Sequence, residues 1–248
     1  MVQIFLSDVH LGGFSEEKNQ HLENELIRLV DYCESNNIQI YILGDFFDYW
    51  MEFPNYIPEV GRSILERFEA YHKTMGRRSI YITGNHDNWT VSHFEERGFR
   101  VEHETVELEL DQKKILLCHG DGLSDKEFEL PRPLLHRFIR NPKFVTFYKT
   151  VLTGKAGVRL MKNFSAFTRD DNHINTERLS RWSEFMLNSF PYDVVIAGHD
   201  HVARKETFAG GTYINTGAFH RDKTVLKYTN GTFTLVTWGD GENKFKPF

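Results

Sequence analysis

Five short runs in the chain bring together side chains that bind metal ions: Asp8-Val9-His10, Gly44-Asp45-Phe46-Phe47-Asp48, Gly84-Asn85-His86-Asp87, His119-Gly120-Asp121 and Gly198-His199-Asp200-His201. Each follows directly on an apolar segment that reads as a β-strand. Ligands at strand exits converge on one edge of a sheet, and glycine lets the backbone turn tightly or approach an ion. The pairs Asp8/His10 and His199/His201 are spaced two apart, so in an extended segment their side chains point the same way. Three carboxylates or amides with four imidazoles, and no sulfur, suit Mn, Fe, Zn or Co better than Ca, with Mg a weaker fit. Seven ligands are too many for one such ion. They suit two ions about 3.5–4 Å apart that share a carboxylate. Such a pair activates water and neutralises a transferring phosphoryl group, a reaction that needs charge stabilisation more than an acyl-type nucleophile. One Asp-x-His or Gly-His-x-His run alone can serve local backbone groups. Five in this order behind five strands argue for one site.

The elements that must position these runs are legible from periodicity. Val2 to Leu6 reads as a strand, Ser15 as the cap of a helix reaching Ser35, Ile38 to Leu43 as a second strand, and Ile64, Leu65 and Phe68 as part of a helix that Gly76 ends. Ser79 to Ile82 is a third strand. This order predicts parallel pairing with right-handed crossovers. Val106, Leu108 and Leu110 then alternate up to a turn at Asp111-Gln112, and Ile115 to Cys118 completes a hairpin. Residues 128 to 190 are mostly helical in texture. Val194 to Ala197, Thr212 to Asn215, Val225 to Tyr228 and Phe233 to Trp238 return to strands, with turns at Gly210-Gly211 and Asn230-Gly231. The simplest assembly is an α/β fold: one domain over 1–248, two sheets flanked by helices, and residues 123–190 partly lifted off as an inserted helical cap. The helix over 176–190 can belong to the cap or pack back on the core.

The chain has 248 residues, 30 Lys and Arg, 35 Asp and Glu, and two cysteines, Cys33 and Cys118, outside any Cys-x-x-Cys pair. A disordered chain, a disulfide scaffold and a thiolate zinc finger are therefore excluded. No run approaches the roughly 18 apolar residues of a spanning helix, and the N-terminal run lacks the features of a signal peptide. A cytoplasmic protein is expected, with a peripheral membrane contact left open. The formal charge of −5 hides a local device. Between Pro131 and Arg169 lie nine basic residues and no acidic one, together with five phenylalanines, which leaves 21 basic against 35 acidic residues elsewhere. Basic amphipathic helices there suit an anionic ligand or surface, although a packed cap with a solvated basic face has the same pattern. Arg137, Lys155, Arg159 and Lys162 are the candidate substrate contacts within 131–169. A nucleic-acid groove is disfavoured, because the rest of the chain is acidic and the segment is small.

The ordered set of five runs resembles the calcineurin-like metallophosphoesterase superfamily across the whole chain. That resemblance implies a four-layer α-β-β-α sandwich of two mixed sheets with an inserted helical lid. It implies that Asp8, His10, Asp45 and His201 hold one metal and that Asp45, Asn85, His119 and His199 hold the other, with Asp45 bridging and metal-bound hydroxide as the nucleophile. His86 would contact the phosphate and assist the leaving group, with Asp87 orienting its imidazole as the second catalytic residue. Asp48 and Asp121 are expected to support the ligands from behind, and His220 to face the site from the C-terminal sheet.

Within the superfamily, the stretch from Tyr41 to Trp50, His119-Gly120-Asp121, Gly217-Ala218-Phe219-His220 and Lys246-Pro247-Phe248 resemble the bacterial UDP-2,3-diacylglucosamine diphosphatases. This implies a Mn2+-dependent hydrolase of lipid A biosynthesis that splits the pyrophosphate bond of a lipid-linked sugar nucleotide to lipid X and UMP at the inner membrane. The proteobacterial members carry arginine where this chain has His86. Two other readings stay open, a phosphoesterase for another small phosphoester or nucleotide diphosphate and a non-catalytic, metal-stabilised interaction module.

Overall fold

The computed structural model describes residues 1–121, 141–160, 176–239 and 244–248. Two mixed sheets carry the fold. The first runs in the order β12 (Phe245–Pro247), β11 (Thr232–Trp238), β10 (Thr224–Thr229), β1 (Gln3–Leu6), β2 (Gln39–Leu43), β3 (Ile80–Ile82) and β4 (Arg100–Glu102). Strands β1 to β4 are parallel, and β10 joins β1 in antiparallel register, with Ile4 opposite Lys227. The second sheet runs β5 (Thr105–Leu110), β6 (Lys113–Cys118), β7 (Val194–Ala197), β9 (Gly211–Asn215) and β8 (Arg204–Phe208). Its three central strands are parallel and its two edges antiparallel.

Apolar side chains on both faces of the central strands make the layers. Phe5, Leu43 and Ile82 of the first sheet meet Val106, Ile115, Leu117, Ile196 and Ile214 of the second, forming a buried seam. The residues between them, Ile4, Leu6, Ile40 and Ile42, point the other way, onto α1 (Glu16–Ser35) and α2 (Arg62–Met75). Helix α1 starts where the Ser15 side chain accepts a hydrogen bond from the Lys18 amide, and buries Leu22, Leu26, Leu29, Val30 and Cys33 at helical spacing. Helix α2 stops at Gly76, whose left-handed backbone suits a residue without a Cβ.

Leu116, Cys118, Val195, Ala197 and Tyr213 face outward from the second sheet and are covered by Leu179, Trp182 and Leu187 of the helix Thr176–Ser189. That helix therefore forms the fourth layer, which resolves the placement left open in the sequence. Further helices are α3 (His93–Glu96), α4 (Pro142–Val151) and α6 (Phe219–Asp222), with Thr176–Ser189 as α5, and residues 154–160 are also helical. Tyr148 of α4 joins Met51, Phe53 and Trp89 in a small separate cluster, which seats residues 141–160 on the loops after β2 and β3. No helix among the described residues is long and apolar enough to cross a membrane.

Strands β4, β8 and β12 were not anticipated. Their sequences are short or charged, Arg-Val-Glu, Arg-Lys-Glu-Thr-Phe and Phe-Lys-Pro, and each is an edge strand, where one-sided pairing imposes little apolar pattern.

The seam between the sheets sets the stability. Ile196→Ala, at a fully buried position in the seam between the sheets, should lower the unfolding free energy by about 2–5 kcal/mol, the range for an aliphatic truncation that leaves a cavity. Urea unfolding with an unchanged m-value checks it.

Candidate metal centre

The five runs converge where the parallel strands of both sheets end. Asp8 and His10 follow β1, Asp45 and Asp48 follow β2, Asn85 to Asp87 follow β3, His119 follows β6, and His199 and His201 follow β7. Main-chain bonds clamp these exits to one another: the Asp8 amide donates to the Gly44 carbonyl at 3.1 Å, the Val9 and His10 amides to that of Asp45, and the Gly198 amide to that of His119 at 2.9 Å. Asp8, His10, Asp45, His199 and His201 all have φ between 51° and 72°. A left-handed backbone disfavours an L-residue by roughly 1–2 kcal/mol each, so this strain is held in place by the fold. Glycine serves for close approach. A Cβ on Gly84 would lie 2.1 Å from Asp45 Oδ1, and one on Gly198 would lie 2.3 Å from Ser7 Oγ and 2.7 Å from Asp8 Oδ2.

Converging donors form three groups, Asp8/His10/His201, Asp45/His119/His199 and His10/Asp48/His86, of which the first two share no residue. In the first, His10 Nε2 and His201 Nε2 are 3.2 Å apart, and Asp8 Oδ1 is 3.2 Å from His201 Nε2. Asp8 Oδ1 is buried without a hydrogen-bond partner. In the second, His119 Nε2 is 3.2 Å from Asp45 Oδ2 and 3.3 Å from Asn85 Oδ1. The opposite edges of these rings are already committed. His119 Nδ1 is 2.8 Å from the Leu43 carbonyl, which makes it the protonated nitrogen, and His10 Nδ1 lies 3.5 Å from Asp48 Oδ1. Each Nε2 is thereby turned toward the carboxylates, the orientation that a histidine ligand needs. An orphaned carboxylate oxygen amid converging imidazole nitrogens fits divalent ions.

Electrostatics agrees. Burial opposes ionisation of Asp8, but the neighbouring His201 and His119 imidazoles hold its carboxyl down at about 2. Asp45 is likewise held well below the ordinary carboxylate range, because the His119, His86 and His10 charges outweigh its burial. Burial disfavours a proton on His119, yet Asp45 overcomes it and raises that imidazole to about 10. His199 is pushed down to about 4, by burial and then by the neighbouring His119 charge. Protons here stand where cations are wanted.

The calcineurin-like phosphoesterase family pattern matches residues 1–203. The chain belongs to the calcineurin-like phosphoesterases. It is 27% identical over 217 residues to a UDP-2,3-diacylglucosamine hydrolase of Porphyromonas gingivalis, covering 80% of this chain and 82% of that one. A protein of the same name from Proteus mirabilis is 25% identical, over 95% of this chain and 98% of its own. Among solved structures, an archaeal phosphodiesterase shares the fold with a TM-score of 0.51 at 15% identity, over 95% of this chain and 98% of that one.

Against this phosphoesterase frame, one expectation is corrected. Asp87 does not hold the His86 ring. It is fully buried, with Oδ2 accepting from the Phe46 and Phe47 amides and the Tyr81 hydroxyl and Oδ1 accepting from the Gly84 amide, so it fastens the β2 and β3 exits together. Adjacent residues in a tight turn point apart, and a buried carboxylate surrounded by amides is drawn inward. The His86 ring is held by Asp48 instead, with Nδ1 2.8 Å from its carbonyl oxygen. Asp48 thus supports His10 through its side chain and His86 through its backbone. Asp121 is buried, and its charge reaches both His119 and His199. His220 bonds through Nδ1 to the Asp8 carbonyl at 2.9 Å and stands edge-on to His10 and His201. Lys155 and Arg159 are exposed on the helical residues 154–160, whereas Arg137 and Lys162 lie outside the described residues. Sequence reasoning missed Ser7, which bonds to Asp8 Oδ2 and lies 2.7 Å from Thr216 Oγ1. Its position beside the first ligand was the available signal.

Because a ligating imidazole must be neutral at its metal-bound nitrogen, a metal bound at His119 would have to displace the proton that His119 holds up to about 10. Calorimetric titration of Mn2+ into the metal-depleted chain near pH 8 should show net proton release across buffers of different ionisation enthalpy, and affinity should fall as pH is lowered. Buffer-independent heats would contradict this protonation state.

Proposed function

We propose that this phosphoesterase hydrolyses the pyrophosphate bond of UDP-2,3-diacylglucosamine, giving lipid X and UMP. The observation that carries this reading is similarity over nearly the whole chain to proteins named for that substrate, on a chain whose donors suit two divalent ions. Mn2+ matches the mixed nitrogen and oxygen donors. Asp8, His10, Asp45 and His201 would hold one ion and Asp45, Asn85, His119 and His199 the other, with Asp45 shared. Bound there, the two ions supply Lewis-acid charge and an acidified water.

The chain's own residues do the rest. Asp8 and Asp45 stay ionised far below neutral pH, so the site keeps its charge for cations across the working range. His86 has Nδ1 fixed on the Asp48 carbonyl and a partly exposed ring. That leaves Nε2 to meet the phosphate or the departing oxygen. Tyr49 stands edge-on to His86, with ring centroids 5.7 Å apart, and Tyr49 packs against the cluster of Met51, Phe53, Trp89 and Tyr148. An apolar wall therefore begins beside the phosphate-contacting histidine, where acyl chains would lie. Of residues 123–190, those before α5 would form the inserted cap, since α5 itself packs on the second sheet. On its described part, Phe147, Val151 and Leu160 are exposed beside Lys143, Lys155 and Arg159. That surface suits peripheral contact with the anionic cytoplasmic face of the inner membrane.

His86→Ala should keep both ions while lowering kcat by roughly 10²–10⁴, the usual worth of an acid–base or charge-stabilising donor. Metal analysis beside steady-state kinetics checks it, and turnover close to wild type would remove His86 from the reaction.

The substrate reading predicts that kcat/KM falls steeply from long-chain to short-chain to deacylated UDP-sugar, since each buried CH₂ is worth about 0.8 kcal/mol. Equal values along the series would reject the lipid assignment in favour of a small phosphoester. Faster cleavage of single-stranded DNA would make residues 131–169 a nucleic-acid groove.

A further inference from the structure

We propose that Arg204 is the positioning residue for the His199–His201 loop, fixing both of its ends to the first turn of α5. The proposal rests on the reading of His199 and His201 as metal ligands.

Arg204 opens the edge strand β8 and belongs to none of the five runs. Its side chain is largely buried, and its guanidinium is spent on named partners. Nη1 sits 2.6 Å from Asp200 Oδ2 and donates to the Val202 carbonyl at 3.1 Å, which grips the loop at its downstream end. Nη2 donates to the Tyr213 hydroxyl at 3.2 Å. That hydroxyl also accepts from Asn215 Nδ2 at 3.0 Å, and Asn215 Nδ2 lies 2.6 Å from the Gly198 carbonyl, so the same cation reaches the upstream end. Nη2 shares its two hydrogens among the Tyr213 hydroxyl, the Thr176 carbonyl and Ser180 Oγ, the last two both at 3.1 Å. Nε donates to Glu206 Oε1 at 2.7 Å.

The loop needs such a grip. His199 and His201 have φ of 72° and 59°, with Asp200 between them donating its amide to the Gly198 carbonyl. Two non-glycine residues in this region persist only where surrounding contacts over-determine them. Asp200 Oδ1 accepts from the Val202 amide, and its buried carboxylate requires the Arg204 charge as a partner. A planar fork with five N–H donors meets acceptors in several directions, which a lysine ammonium on a flexible stem does not. The fork also ties the ligand loop to Thr176, the first described residue after 161–175. Geometry at the metal site and at the return of the inserted segment therefore depends on one side chain.

The test uses the full chain and two readouts, Mn2+ affinity and amide hydrogen exchange. Arg204→Met and Arg204→Lys should each weaken Mn2+ binding by about 10–100-fold, the scale found when a group supporting a ligand is removed. Both should speed exchange in residues 198–203 and in 176–180 together. Glu206→Gln, which touches the fork away from the loop, should leave affinity within about threefold of wild type. A lowered Tm with unchanged Mn2+ affinity and unchanged exchange at 198–203 would overturn the proposal, reducing Arg204 to an ordinary stabilising contact. Should Arg204→Met fail to fold, the lysine variant decides alone. Failure of the wild type to bind two ions would instead strike the function proposed above, and the exchange measurement would still decide the role of Arg204.

Discussion

Two carboxylates, Asp8 and Asp45, are buried where the two sheets meet, and the rest of the site answers that burial. An ionised carboxylate removed from water is very costly unless charge and hydrogen bonds surround it. Four histidines on four different loops supply the charge, and the Ser7 hydroxyl with the His86 and His199 amides supplies hydrogen bonds. To bring these groups so close, the chain leaves its strands in left-handed backbone and places glycine where a side chain would collide with the Asp8 or Asp45 carboxylate. Local strain is exchanged for convergence.

The layered fold makes that exchange sustainable. Parallel strands β1 to β3 deliver three exits to one edge of the first sheet, and β6 and β7 deliver two more from the second. The apolar seam between Phe5, Leu43, Leu117 and Ile196 fixes the distance between these edges. Strained turns thus rest on the most deeply packed part of the molecule. Asp87 contributes in a similar way, since burial and the Asp45 charge raise its pKa while four donors hold it between two exits.

Much of this was legible in the sequence because ligands must follow strands and buried parallel strands are continuous apolar runs. Ser15, Gly76 and the Asp111-Gln112 turn marked their boundaries through local chemistry that tertiary context does not override. The role of Asp87 was not legible. Sequence adjacency to His86 suggested partnership, but direction in a tight turn depends on where amides wait, and these come from Phe46 and Gly84. Strand β8 was hidden by its charges, and with it Arg204, whose partners at 176, 200 and 213 come from the docked helix α5, the preceding loop and the paired strand β9. Long-range convergence on polar side chains leaves no periodic trace.

The donors run from Asp8 to His201 and come from both sheets. No contiguous fragment short of most of the chain can hold the complete set, and contacts between residues so far apart in sequence slow folding. A cation that binds only the finished arrangement adds its binding free energy to the native state. Metal would therefore act as a mechanical fastener across the sandwich. Chelation would loosen the docking of one sheet against the other as well as emptying a reaction centre.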